Sequence, residues 1–204
     1  MSGNSLDLSR TALLIVDLQN DFLHADGAYA RGGATLPGAA PLISAMKAVA
    51  DAMREKGGWI VSTQFTLVPG RGGEPLISPH LQALRPFLRK GDFQPGAWGH
   101  RLVDELAPAD FTIEKVAYSA FYMTRLEFVL RKAGIDTLLV GGIVTNGGVA
   151  STLRDAHVRD FHTMLLTDGC AAFSSEAHES SIASLGTITR RLTCAEATAA
   201  IRAT

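Results

Sequence analysis

The sequence predicts a three-layer α/β/α domain built on a doubly wound, mostly parallel sheet of six strands, a Rossmann-like arrangement. Three observations carry that expectation. Six short runs are rich in aliphatic and β-branched residues: 11–17 (TALLIVD), 59–65 (WIVSTQF), 110–115 (DFTIEK), 137–142 (TLLVGG), 162–168 (HTMLLTD) and, more weakly, 187–192 (TITRRL). Most are near-continuously apolar rather than alternating, as strands covered on both faces are. Helical patterns lie between them, and alternation of strand and helix yields a parallel sheet with right-handed crossovers.

Each intervening stretch has its own signal. Residues 37–55 open with Pro37 in a first-turn position, where its missing N–H is harmless. Further helices are expected over 99–106, 147–159 and 175–184. Thr124-Arg-Leu-Glu127 fits a capping box opening a helix through Lys132, and Gly134 suits the cap that closes it. Thr193 and Glu196 fit a second capping turn. Residues 66–96 break the rhythm with five Gly and five Pro, a long span for a structureless connection. That span is read as shaping a pocket or a subunit contact, with a plain surface excursion as the alternative.

Composition narrows the function classes. With 204 residues and 47% hydrophobic content, the chain can bury one substantial core, so one domain over 1–204 is expected, with 1–10 as an N-terminal extension. Lys and Arg number 19 against 20 Asp and Glu, with no basic cluster to displace phosphate counterions, so nucleic acid is not an expected partner. No apolar run approaches the roughly 20 residues that span a bilayer, and no signal-like start is present. A cytoplasmic protein that does not bind membranes is expected, with Cys170 and Cys194 as reduced thiols.

Ligands of doubly wound sheets gather beyond the carboxyl ends of the strands. Asp17 ends the first run, Lys115 ends the third, and a glycine-rich turn through Gly148 follows the fourth. An acid, a base and a flexible turn thereby converge on one sheet edge. A carboxylate and an ammonium in a partly dry cleft perturb one another's protonation, which suits proton transfer near neutral pH. A plain ion pair, or an Asp17 that merely caps the next turn, satisfies the same spacing.

The local sequences add a resemblance. Leu14-Ile-Val-Asp-Leu-Gln-Asn-Asp-Phe22, Lys115-Val-Ala-Tyr-Ser-Ala-Phe121 and the run GIVTNGGVASTLRDA at 142–156 resemble, in order, three motifs of the isochorismatase-like (cysteine hydrolase) family. With intermediate matches such as GAWGHRLVDEL at 96–106 and DGCAA at 168–172, the resemblance covers most of 11–192. It implies that Asp17 is the acid/base and Lys115 its charge-stabilising partner. It also implies a cis peptide between Ile143 and Val144, and an oxyanion hole formed by the N–H groups of Val144 and Gly148.

At the nucleophile the chain departs from the family pattern, because Gly148 occupies the place of the usual cysteine. A covalent thiol mechanism is then closed to it. Cys170 and Cys194 fit packed residues better than substitutes. The namesake reaction, hydrolysis of the isochorismate vinyl ether, proceeds without a cysteine, and its enzymes carry glycine here. A protonated Asp17 and a water molecule suffice for it. Against that, Thr145-Asn146 looks more like the amidase branch. An amidase lineage whose cysteine became Gly148, naturally or by engineering, or a non-catalytic small-molecule-binding descendant, are the alternatives.

Secondary positions follow. Gln64 resembles a substrate-contacting glutamine, and Arg71 could meet a substrate carboxylate. Phe22, Trp98, Tyr118 and Phe121 flank the expected site and could line a pocket for a small planar molecule, or serve only as core. Nicotinamidases of the family hold a metal through Asp-x-His, whereas this stretch reads Ser62-Thr-Gln-Phe-Thr66, and the histidines are scattered. Neither a metal nor a cofactor is expected. The resemblance implies a small-molecule substrate and a homodimer or homotetramer.

Overall fold

The computed structural model describes residues 6–204. Its elements are β1 (Thr11–Val16), α1 (Asn20–Leu23), α2 (Ala28–Arg31), α3 (Ala39–Glu55), β2 (Trp59–Phe65), α4 (Pro79–Leu84), β3 (Phe111–Lys115), α5 (Leu126–Lys132), β4 (Thr137–Ile143), α6 (Ala150–His157), β5 (His162–Ala171), α7 (Ser175–Leu185), β6 (Arg190–Leu192) and α8 (Cys194–Arg202). All six strands are parallel, in the order β3-β2-β1-β4-β5-β6. Strand order reverses between β1 and β4, and a crevice opens at such a switch point beyond the carboxyl ends.

Period-2 alternation divides the sheet's side chains between two cores. Leu13, Ile15, Ile60 and Leu139 face α3 and α8, whose Met46, Val49, Ala197 and Ile201 are buried against them. Ala12, Leu14, Val16, Val61 and Val140 face α5 and α6 through Leu126, Leu130, Leu153 and Ala156. A strand buried on both faces has no reason to alternate in polarity, which is why β1 reads as a continuous apolar run. Gly142 permits the closest approach of β1 and β4: its φ is +131°, and a Cβ there would stand 2.0 Å from the Val16 carbonyl oxygen.

Several expectations shift in detail. The helix expected over 99–106 is instead a short 3₁₀ turn, Trp98–His100, followed by chain that pairs with the segment after β1, Val103 N–H donating to the Leu18 carbonyl at 3.0 Å. Gly99 packs so tightly on Asp21 that a Cβ would fall 2.2 Å from its carboxyl. The capping box expected at Thr124 does not form. Thr124 Oγ1 donates back to the Ala120 carbonyl, Glu127 pairs with Arg159 at 3.0 Å, and α5 starts at Leu126. Gly134 does close α5, with φ +75°. The capping box at Thr193 and Glu196 forms and opens α8, a helix not foreseen as such. β6 is shorter than expected, because Ile188 and Thr189 donate back to Leu185 and extend the α7 turn. Within the expected N-terminal extension, residues 1–5 lie outside the described residues, while Leu6 is buried in the core beside α3.

Candidate active site

Asp17 leaves β1 with a left-handed backbone, φ +56°, uncommon for a non-glycine residue and best tolerated by Asp and Asn. Its Oδ2 lies 2.6 Å from Lys115 Nζ at the end of β3, and both side chains are almost wholly buried. Thr63 Oγ1, on β2, donates to Asp17 Oδ1 at 2.7 Å. Lys115 Nζ also donates to the Ala117 carbonyl at 2.9 Å and lies over the Phe65 ring. Burial holds the Asp17 carboxyl above the usual carboxylate range, with the Lys115 charge and the hydrogen bonds from Lys115 and Thr63 opposing it. The arrangement sets beside a fixed cation a carboxyl that takes up a proton more readily than an exposed one.

The residues after Asp17 have a different task. Gln19 Nε2 donates to the carbonyls of Phe65 and His100, and its Oε1 accepts from Phe65 N–H. Asn20 donates to the Trp98 carbonyl, and Asp21 accepts from the N–H groups of Ala28 and Phe93. These three side chains bind the loops beyond β1, β2 and the Trp98 turn into one floor.

The third component follows β4. The Ile143–Val144 peptide is cis, and residues Thr145–Val149 form a single π-helical turn running into α6. Such turns recur at functional sites. The N–H groups of Gly147 and Val149 both donate to the Val144 carbonyl, and Thr145 Oγ1 is 2.8 Å from His178 Nδ1 on α7, which ties the turn down. A Cβ placed on Gly148 would stand 3.4 Å from Asp17 Oδ2 and 2.9 Å from the Ile143 carbonyl oxygen. The Asp17 carboxyl therefore faces the space that a side chain at 148 would enter.

Asp17, Lys115, Ile143, Val144, Gly148, Phe22 and Tyr118 line one cavity of about 310 Å³. Its roof is α4, within the segment 66–96, which thus contributes to a pocket. Four residues expected at the site lie elsewhere. Gln64 is on the opposite face of β2, where Nε2 donates to Ser62 and the side chain lines a separate cleft with His100 and Thr112. Trp98 stacks edge-on against His24 outside the cavity. Phe121 turns into the core against Phe161. Arg71 is exposed and does not line the cavity.

Other lining residues were not singled out from the sequence. Tyr29, Leu81, Arg85 and Phe173 complete the walls, contributed by α2, α4, the residue that ends α4 and the loop after β5. Thr63 was missed as well: simple strand alternation would turn Asp17 away from the face shared by Val16 and its partner Thr63, and it is the left-handed backbone at Asp17 that brings the carboxyl back to Thr63. Both thiols are buried. Cys170 lies within β5 rather than past it, opposite Gly142, and burial pushes its thiol up to about 12. Burial pushes Cys194 up as well.

Comparison with known proteins agrees with this geometry. Residues 11–197 match the isochorismatase domain. The chain is 32% identical over 184 residues to the isochorismatase family protein YwoC of Bacillus subtilis, covering 89% of this chain and 88% of that one. It is 34% identical over 172 residues to the ureidoacrylate amidohydrolase RutB of Pantoea ananatis, covering 78% and 68%. Its fold superposes on a cysteine hydrolase from Pseudomonas syringae pv. phaseolicola with a TM-score of 0.83 at 24% identity, covering 97% and 95% of the two chains. The chain belongs to the isochorismatase family and is a hydrolase of that family.

Proposed function

We propose that the protein hydrolyses a small carboxylate-bearing molecule by a non-covalent route, with a water molecule as nucleophile. The observation that carries this reading is the buried Asp17–Lys115 pair facing the open space at Gly148, at 2.6 Å and 3.4 Å respectively. Asp17 is the general acid/base: ionised, it takes a proton from the attacking water; protonated, it donates one to the substrate. Lys115 stabilises its charged form. Negative charge developing on the substrate oxygen is met by the N–H groups of Val144 and Gly148 at the head of the π turn, where the helix dipole also favours an anion. No residue of this constellation needs a side chain at 148.

Relatives named ureidoacrylate amidohydrolase support a C–N bond as the one cleaved, and a carboxyl raised by burial equally suits protonation of a vinyl ether. The test is turnover of ureidoacrylate, simple amides and isochorismate by the parent and by Asp17→Asn. Hydrolysis of one of these by the parent, lost in the variant, supports the reading; undiminished hydrolysis in Asp17→Asn removes it. A second reading is a binding protein descended from a cysteine amidase, favoured by the glycine at 148 and by the burial of both thiols. It requires ligand binding without turnover.

A further inference from the structure

We propose that Arg85, held by Tyr29 at the roof of the cavity, is an anion anchor that selects substrates carrying a carboxylate beyond a short, flat, apolar body. The inference rests on the hydrolytic reading for the word substrate, but the anchor itself is argued from the cavity.

Two side-chain cations with long reach line that cavity, and their situations differ. Lys115 is already neutralised by Asp17. Arg85 has no carboxylate partner among the described residues. Its Nε donates to the Tyr29 hydroxyl at 3.1 Å and its Nη1 to the Leu84 carbonyl at 2.8 Å. A guanidinium has five N–H donors in a planar fork, so most of its capacity is left for a ligand. A cation beside apolar walls, unpaired and half-buried, is complementary to an anion, and the fork matches the two oxygens of a carboxylate.

Tyr29 strengthens the assignment. Its hydroxyl accepts from Arg85, which leaves its own proton to donate to the same anion. Burial raises the phenol above its ordinary value, so it stays protonated and remains a donor. The Tyr29 ring stacks on Phe173 at 5.5 Å and 14°, and Phe22 lies 4.7 Å from it, so the surface beside the anchor is flat and aromatic. The floor pair and the Arg85 fork thus fix two points of the ligand, and about 310 Å³ between the walls limits it to a small molecule. The class so defined is a small carboxylic acid with a flat, apolar body.

Two experiments test this. In the first, kcat and KM for ureidoacrylate and for its neutral methyl ester are compared in the parent, Arg85→Gln, Arg85→Lys and Tyr29→Phe. Loss of a charge-assisted pair predicts that Arg85→Gln lowers the acid-over-ester preference in kcat/KM by roughly 10- to 100-fold, mainly through KM. Arg85→Lys recovers part of it, and Tyr29→Phe loses less. Equal losses for acid and ester overturn the anchor. In the second, benzoate and benzamide are titrated into Asp17→Asn by calorimetry, which requires no turnover. Benzoate binding more tightly, with the difference abolished by Arg85→Gln, supports the anchor even if nothing is hydrolysed, in which case only the hydrolytic reading falls. Equal or undetectable binding of the two overturns the anchor.

Discussion

The floor and the roof of the cavity are built in opposite ways. On the floor, Asp17, Lys115 and Thr63 leave three adjacent or near-adjacent strands, are buried, and are bonded to one another. On the roof, α4 has no buried residue, and Leu84 is 51% exposed while lining the cavity. Elements with few buried contacts open at low free energy, whereas a sheet core opens only with global unfolding. The difference teaches a division of labour. Under the proposed function, proton transfer, which tolerates little misplacement, falls to the rigid switch point, and ligand selection to a segment free to adjust.

Substitutions sharpen that contrast, beginning with the floor. Asp17→Asn keeps a side chain that tolerates the left-handed backbone and retains an acceptor for Thr63, but removes the proton-transfer group; kcat should fall by about 10²–10⁴. Steady-state kinetics on a turned-over substrate check this. Lys115→Met leaves a buried carboxyl without its cation, and breaking such a pair costs about 3–5 kcal/mol, readable as a lowered midpoint in urea.

The same pair sets the sign of the pH response. If Asp17 works as a base, kcat/KM falls as pH drops through its raised pKa; if it works as an acid, kcat/KM falls as pH rises through it. Lys115→Met removes the largest influence opposing burial, so the Asp17 limb should move to higher pH in either case. A limb that stays in place would show that Asp17 is not the group being titrated.

Gly148→Cys tests the space itself. Its Cβ would approach the Ile143 carbonyl oxygen to 2.9 Å, so the turn must shift, at a cost of about 1–3 kcal/mol in thermal or urea unfolding. Iodoacetamide should label one thiol in the native variant and none in the native parent, because burial raises both native thiols. The smallest effect belongs to the roof: Leu84→Ser should change stability by less than about 0.5 kcal/mol while raising KM.

Legibility from sequence follows the same divide. The apolar strand runs, Asp17, Lys115 and the turn through Gly148 were readable because strands buried on both faces leave a continuous signal and the ligand edge of the sheet is fixed by topology. Gln64 was misplaced because simple alternation sets it on the side of Asp17, whereas the left-handed turn at Asp17, which no strand pattern signals, carries the carboxyl to Thr63 instead. Trp98 and Phe121 are near the site in sequence, yet one is fixed by its backbone contact with Asn20 and the other is drawn into the core beneath α5. Arg85 and Tyr29 left no signal, because they meet through a long irregular connection whose path no local periodicity specifies.

The most direct test of a water-mediated, Asp17-dependent hydrolysis compares the parent, Asp17→Asn and Gly148→Cys on ureidoacrylate, a set of amides and isochorismate, with intact protein mass recorded during turnover. The account predicts that the parent hydrolyses at least one of these, that its mass never gains an acyl group, and that Asp17→Asn is nearly inactive. A parent that turns over none of them, beside a Gly148→Cys variant that hydrolyses amides through an acylated protein, would contradict it.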